Sequence, residues 1–442
     1  MIENLGHLDK LPTDFPWLQD RKGCVQFEWT HREHYIAGAP VRPLNVLLCN
    51  SGAHRQCLIT DQPIPLHEAE IPEDQFAAVA RALALLPINL DAPMPLVPVT
   101  VAKPWGQEVW YTGIEARGVS LIVSTPIAWV IDIFGDAIGC RQAPILLKIL
   151  DPFTAENLGD LYFELHEEKR EVYIVTHVDE TAWPDGTGQL RYGFNGNKLA
   201  QYPDRTAFQD DYLRAVEAYE TTRRSIDGQL RQLKQERGMD PTAPMVPAAT
   251  LALLAELPPA LLEQEAQLRA DMYAFTALVP VRTGDVISVA PFVPHSLQHG
   301  VRVVEFQTPH YERYILSFGQ EVLTQDHWNT REALNQVAMA GTPPVLSESA
   351  VSGRERVASF DAFDVERITL KPGESISLAA GCYQLVMGIK GNMLVGETQI
   401  SAETAWFIPP GIANAVCTNS GDLDAVLLLA AETQTTSRAG MH

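Results

Sequence analysis

Two short stretches of this 442-residue chain carry residue types that hold divalent metal ions: ELHEEKRE at Glu164 to Glu171 and VPHSLQHG at Val293 to Gly300. Alternate side chains of an extended strand share a face, so Glu164 and His166 are expected to point the same way. Glu171 follows far enough on to cross a tight bend and return on the neighbouring strand. Before the second motif, Thr283-Gly284-Asp285 reads as a turn, Val286 to Val289 as a strand and Pro291 as its stop. That run delivers His295 just past the strand end. Two carboxylates and two imidazoles brought together suit zinc, manganese or iron. Each pattern alone is short and also occurs on solvated turns, so the reading rests on both coming together.

The elements that must bring them together are legible in outline. Residues 1–95 open with aromatic and polar stretches, then a strand-like LNVLLCN and an amphipathic DQFAAVARALALL that predicts a helix. From Val99 the chain turns to closely spaced runs, VTVAKPWGQEVWYTG, GVSLIVS, AWVIDIFG, PILLKIL, LYFEL and EVYIVTHV, which read as the strands of a sandwich or barrel. Residues 205–237 then carry Tyr212, Val216, Tyr219, Ile226, Leu230 and Leu233 at three- and four-residue spacing, a helical period. A second helical stretch, 247–276, is interrupted at Pro258 and Pro259, and strands resume at LVPVRTGDVISVAP and RVVEFQT. The helical segment 205–276 is therefore expected as an insertion between two halves of one β-barrel, 96–204 and 277–335, which makes the two motifs neighbours in space.

Composition narrows the partners. A hydrophobic fraction of 46% with 20% charged residues is that of an ordinary globular protein, and the length allows two or three domains. A formal charge of -22 opposes nucleic acid and anionic membranes, whose phosphate field would repel it. The first residues, MIENLGHLDKLPTDFPW, lack the basic and apolar regions of a signal peptide, and no apolar run reaches membrane-spanning length. Six cysteines (Cys24, Cys49, Cys57, Cys140, Cys382, Cys417) without a CxxC pair read as reduced thiols of a cytoplasmic protein. His31 and His34, three apart with no third partner, read as incidental, and His177 and Asp179 as structural. His299 and His310, close to the ligand motifs, read either as hydrogen-bond partners of the ligands or proton carriers, or as surface loop residues, and Trp105 either as pocket lining or as core.

Between about residues 99 and 320 the chain resembles the type I phosphomannose isomerases of the cupin superfamily. KPWG at Lys103 to Gly106 is similar to that family's early tryptophan-glycine element, and PILLKIL at Pro144 to Leu150 to its strand leading into the metal site. LYFELH stands in place of its strand ending in Gln-Val-His, and KRE at Lys169 to Glu171 in place of its Lys-Pro-Glu or Lys-Thr-Glu. APFVPH at Ala290 to His295 resembles the loop supplying its last histidine, and EFQTPHYERYIL at Glu305 to Leu316 the segment ending in Thr-Tyr-Arg. The resemblance implies Glu164, His166, Glu171 and His295 as metal ligands, and Lys169 and Arg313 as catalytic residues facing the substrate. It implies a divalent metal, zinc first, with manganese or iron as alternatives.

The departures matter equally. Glu164 replaces the family's glutamine ligand, and His166 is followed directly by Glu167 and Glu168, without the family's excursion and its lysine. A cation expected near a substrate phosphate is replaced by two anions, which leaves a non-phosphorylated sugar or another polyol or keto acid as an alternative substrate. After a linker at 336–357, the run 358–434 again resembles a cupin, one without metal positions: no histidine lies between His327 and His442, and Asn414 stands after PPG where one would be. The expected protein is mostly β: tandem cupin jelly-roll domains, an α-helical insertion and a mixed α/β N-terminal extension. The expected function is a metal-dependent aldose-ketose isomerase acting on a sugar or sugar phosphate. The alternatives are a metal-cupin oxygenase or lyase and a non-catalytic sugar-binding cupin. The expected partners are the small-molecule substrate and a second copy of the chain as a homodimer.

Overall fold

Strands rich in Val, Ile, Leu and aromatic residues outweigh helices in the described chain, and most of them gather into sheets packed over apolar cores. The computed structural model describes residues 2–65, 72–323, 325, 327–339, 353–378, 381–412 and 415–433. Asn414 and residues 340–352 of the expected linker lie outside them. The chain divides into two compact units: Met1–Val99 with Trp110–Leu147 and Ala350–His442, and Thr100–Val109 with Lys148–Ser349.

The second unit holds both motifs. Its six-stranded sheet runs, in spatial order, Val286–Val289, Glu171–Val178, Val301–Gln307, Leu146–Pro152, Gly106–Trp110, Val99–Lys103. The five-stranded sheet runs Thr276–Val281, Gly188–Phe194, His295–Leu297, Phe163–Leu165, Tyr314–Ser317. Trp105, Tyr173, Leu190, Ile287, Val303 and Phe318 belong to one core contributed by both sheets and their connections. The strands Gly188–Phe194 and Thr276–Val281 are antiparallel partners, Gly188 opposite Val281 and Phe194 opposite Thr276, and the chain between them is helical. Helix Arg205–Glu236 starts at Asp204, whose carboxylate accepts a hydrogen bond from the Ala207 N–H at 2.8 Å. Phe208, Tyr212, Val216 and Tyr219 form its buried stripe, packed with Phe194, Met272 and Phe275. Helices Pro247–Leu254 and Pro259–Tyr273 follow, each opening on a proline whose missing N–H has no helical acceptor to lose.

The first unit starts with a five-stranded sheet, Glu3–Leu8, Gly23–Arg32, Val41–Asn50, Arg55–Thr60, Ile88–Asn89, and helix Pro72–Ala82. Two expectations fail here. AWVIDIFG is not a strand but part of helix Ile127–Ile138: Ile127, Val130, Ile131, Phe134 and Ile138 fall at helical spacing and are buried, and Gly139 closes the helix in the left-handed conformation. β-branched residues had suggested a strand, and burial of a helical face outweighs that weak preference. Nor are all six cysteines thiols: Cys24 and Cys49 stand directly opposite on paired strands and form a disulfide. Cross-strand register brought them together where linear spacing gave no cue.

The strand Met94–Val97 joins an eight-stranded sheet with Ala405–Ile408, Gln384–Lys390, Ala425–Glu432, Phe363–Leu370 and Gly353–Ser359 among its members. A four-stranded sheet, Ser375–Ser377, Val416–Asn419, Asn392–Val395, Thr398–Ser401, faces it across Ile368, Val386, Met393, Ile400, Leu427 and Leu429. Among the described residues no helix is long and apolar enough to cross a membrane.

Candidate metal centre

Phe163 and Leu165 pack into the core beneath the helices, and strand alternation therefore turns Glu164 to the opposite face. Glu164 lies directly across the ladder from His295. His295 lies past the end of Val286–Val289, as expected, and there opens a further short strand, His295–Leu297, paired with Phe163–Leu165 and Gly188–Phe194. His166 follows the strand Phe163–Leu165 immediately, and its carbonyl accepts the Phe292 N–H at 2.8 Å. After the turn at 167–170, Glu171 opens Glu171–Val178. That strand lies in the six-stranded sheet, so the bend carries the chain across the sandwich rather than to a neighbour in the same sheet.

His166, Glu171 and His295 are buried and offer ligand atoms within 4.8 Å of one another. His166 Nε2 lies 3.5 Å from Glu171 Oε1 and 3.7 Å from Glu164 Oε1, and His295 Nε2 lies 2.7 Å from Glu171 Oε1. The Nδ1 of His166 sits 2.7 Å from the Glu312 carbonyl and that of His295 3.1 Å from the Val293 carbonyl. A carbonyl only accepts, so each Nδ1 carries the proton of a neutral ring and each Nε2 presents its lone pair to the cluster. His166 Nε2 and Glu164 Oε2 are buried without a hydrogen-bond partner. The short approach of His295 Nε2 to Glu171 Oε1 then brings two acceptors together, which a cation between them reconciles. Burial, followed by the Lys169 charge, holds the His166 pKa well below its usual value. Burial would raise the carboxyl of Glu171, but the neighbouring Lys169 charge outweighs it and holds the group well below the usual range. Neutral imidazoles and an ionised carboxylate are the states in which these groups bind metals, so the residues fit a divalent ion.

Two cations border the cluster. Lys169 Nζ lies 2.6 Å from Glu171 Oε2, while Arg313 Nε is 4.0 Å from Glu164 Oε2 and its guanidinium carbon stands 4.9 Å over the Tyr162 ring. Beside them lies a set of buried charges that the sequence reading missed. Lys148 Nζ pairs with Glu305 Oε2 at 3.0 Å, and Lys103 Nζ with Glu108 Oε2 at 3.3 Å. Glu305 faces Tyr173 across the ladder; burial and the neighbouring Glu171 push its carboxyl up to about 8 against the pull of Lys148. A charge inside a largely apolar strand, as Lys148 in PILLKIL and Glu305 in VRVVEFQ, was the available signal, because a buried charge must find a partner.

The other singled-out residues lie apart from this set. His299 Nδ1 is 2.7 Å from Asp160 Oδ1, and its ring stacks on Trp183. His310 Nδ1 is 3.2 Å from Thr308 Oγ1, and Asp179 accepts from the Thr181 N–H. Trp105 is core. In the first unit, His31 Nδ1 lies 2.8 Å from Asp132 Oδ2.

No family model and no curated protein sequence matches this chain. Among solved structures, a zinc-bound mannose 6-phosphate isomerase is similar with a TM-score of 0.53 at 12% identity, over 77% of this chain and 99% of that one. A point mutant of phosphomannose isomerase from Salmonella typhimurium gives 0.52 at 12% identity, over the same shares. At this identity the likeness is one of fold.

Proposed function

We propose that the chain is a metal-dependent aldose-ketose isomerase acting on a sugar or sugar phosphate, built as tandem cupins of which only the one bearing Glu164 holds metal. The observation that carries this reading is the convergence of His166 and His295, Nε2 lone pairs inward, on the buried Glu171 with Lys169 at its edge. Glu164, His166, Glu171 and His295 would hold the ion, and zinc is the first choice for such donors, with manganese or iron as alternatives. When bound, it supplies a Lewis acid to a substrate carbonyl.

Aldose-ketose isomerisation takes a proton from the carbon beside a carbonyl and builds negative charge on the enediolate oxygens. Arg313 and Lys169 are the cations of this chain that would face that charge. Glu305, with its carboxyl near neutrality, keeps a proton at hand beside Glu171. The buried strands around the cluster exclude water from it.

A second reading has its own support: His166, Glu171 and His295 make two histidines and one carboxylate, the donor set of non-haem iron oxygenases. Oxygen dependence separates the two. Interconversion of an aldose and a ketose by the metal-loaded protein under nitrogen supports isomerisation, whereas activity only with iron and dioxygen supports the oxygenase.

A further inference from the structure

The turn that carries the chain from His166 to Glu171 is tied down almost entirely by one short segment. Four consecutive main-chain N–H groups point at residues 308–312. The Glu167 N–H donates to Glu312 Oε1 at 2.6 Å, and those of Glu168 and Lys169 donate to Glu312 Oε2 at 2.9 and 3.3 Å. The Arg170 N–H donates to Thr308 Oγ1 at 3.1 Å, and the Thr308 N–H returns a bond to the Arg170 carbonyl at 2.9 Å. The main-chain oxygen of Glu312 also accepts from His166 Nδ1. One residue therefore grips the turn with its carboxylate and a ligand ring with its carbonyl.

Three successive N–H groups converging on one point form an anion-binding concavity, and hydrogen bonds from such groups to a carboxylate are stronger than neutral ones. Glu312 stays there although Glu167 and Glu168 add like charges to the same turn. Arg170 offsets them from the other side, its guanidinium donating to the carbonyls of Glu167 at 3.1 Å and Glu168 at 2.8 Å. Everything the metal reading needs from this stretch depends on the turn's shape: the His166 ring, the Lys169 ammonium and the start of the Glu171 strand.

We infer that Glu312 is a positioning residue of the metal centre, a built-in anion that fixes the turn at 167–169 and through it His166, Lys169 and Glu171. This assignment rests on the metal reading of the site. Its test is the zinc dissociation constant, measured by chelator competition for wild type, Glu312→Ala and Glu312→Gln, with sodium acetate or with sodium chloride at matched ionic strength. Glu312→Ala is expected to weaken zinc by about 10–100-fold, the usual cost of losing a group that orients a ligand. Acetate, by refilling the vacated concavity, restores most of that loss and chloride does not. Zinc held as tightly by Glu312→Ala as by wild type overturns the assignment, as does a loss that acetate leaves untouched. Should Glu312→Ala not fold, Glu312→Gln keeps the shape without the charge: weaker zinc supports the role and unchanged zinc overturns it. If wild type itself takes up no zinc, the metal reading fails first and this assignment with it, a result distinct from wild type binding zinc and the variants binding equally well.

Discussion

The chain builds a face-to-face pair of sheets twice and fills the two interiors differently. Between the C-terminal sheets the interior is Ile368, Val386, Met393, Ile400, Leu427 and Leu429, with no ion pair among these residues. Between the sheets of the second unit, apolar packing shares the space with Glu164, His166, Glu171 and His295, and the pairs Lys148–Glu305 and Lys103–Glu108 lie buried nearby. Removing a charge from water is expensive unless a partner compensates it. The C-terminal interior bears less of that cost: its buried atoms without a hydrogen-bond partner include the uncharged Gln384 Oε1 and Trp406 Nε1, and Glu366 is ion-paired with Arg354. The other interior bears it, and retains acceptors such as His166 Nε2 that no protein donor satisfies. Two interiors of like architecture thus separate what stabilises a fold from what equips it for chemistry.

The difference can be tested by substitution, starting with the largest effect. Lys148→Met removes the partner of Glu305 beside Glu171 and, above about pH 8 where that carboxyl ionises, should cost about 3–5 kcal/mol of stability, since it strands a buried carboxylate; urea unfolding of the metal-free protein at that pH measures it. A near-neutral result would mean that the charges in this interior are solvated. Arg313→Ala should leave stability and metal content unchanged while lowering kcat by about 100–1000-fold, the usual cost of one donor facing a developing oxyanion. If only ligand affinity falls in this variant, the site binds sugars without turning them over. In the apolar interior, Leu429→Ala should cost about 2–5 kcal/mol through transfer and cavity terms, with metal affinity unchanged; a fall in metal affinity would show that the two interiors are not independent. Asp204→Ala, which uncaps the long helix, should cost about 1 kcal/mol and leave zinc affinity as it was.

How much of this was legible in the sequence differs residue by residue. Glu164, His166, Glu171 and His295 stand out because they are chemically distinctive residues within or at the ends of short strands, and local alternation is enough to orient Glu164. Which sheet receives Glu171 was not legible, because a tight bend can return a chain alongside itself or throw it across to the facing layer. Register is a property of paired strands, so Glu164 opposite His295, and Cys24 opposite Cys49, could not be read from either strand alone. Ile127–Ile138 misled because β-branched residues favour strands only weakly, and a buried helical face overrides them. Lys148 and Glu305 sit in largely apolar strands, where a charge that must find a partner was the cue. Nothing in the sequence marks Glu312 apart, and only the three N–H groups around its carboxylate reveal what it holds.

The central claim is that the charged interior is a metal centre, and elemental analysis of the purified protein beside the His166→Ala/His295→Ala double variant tests it most directly. Near-stoichiometric zinc, manganese or iron in the wild type, absent from a folded double variant, is the result expected. A wild type that carries no metal and takes none up on titration, or a double variant that retains it, would contradict the account.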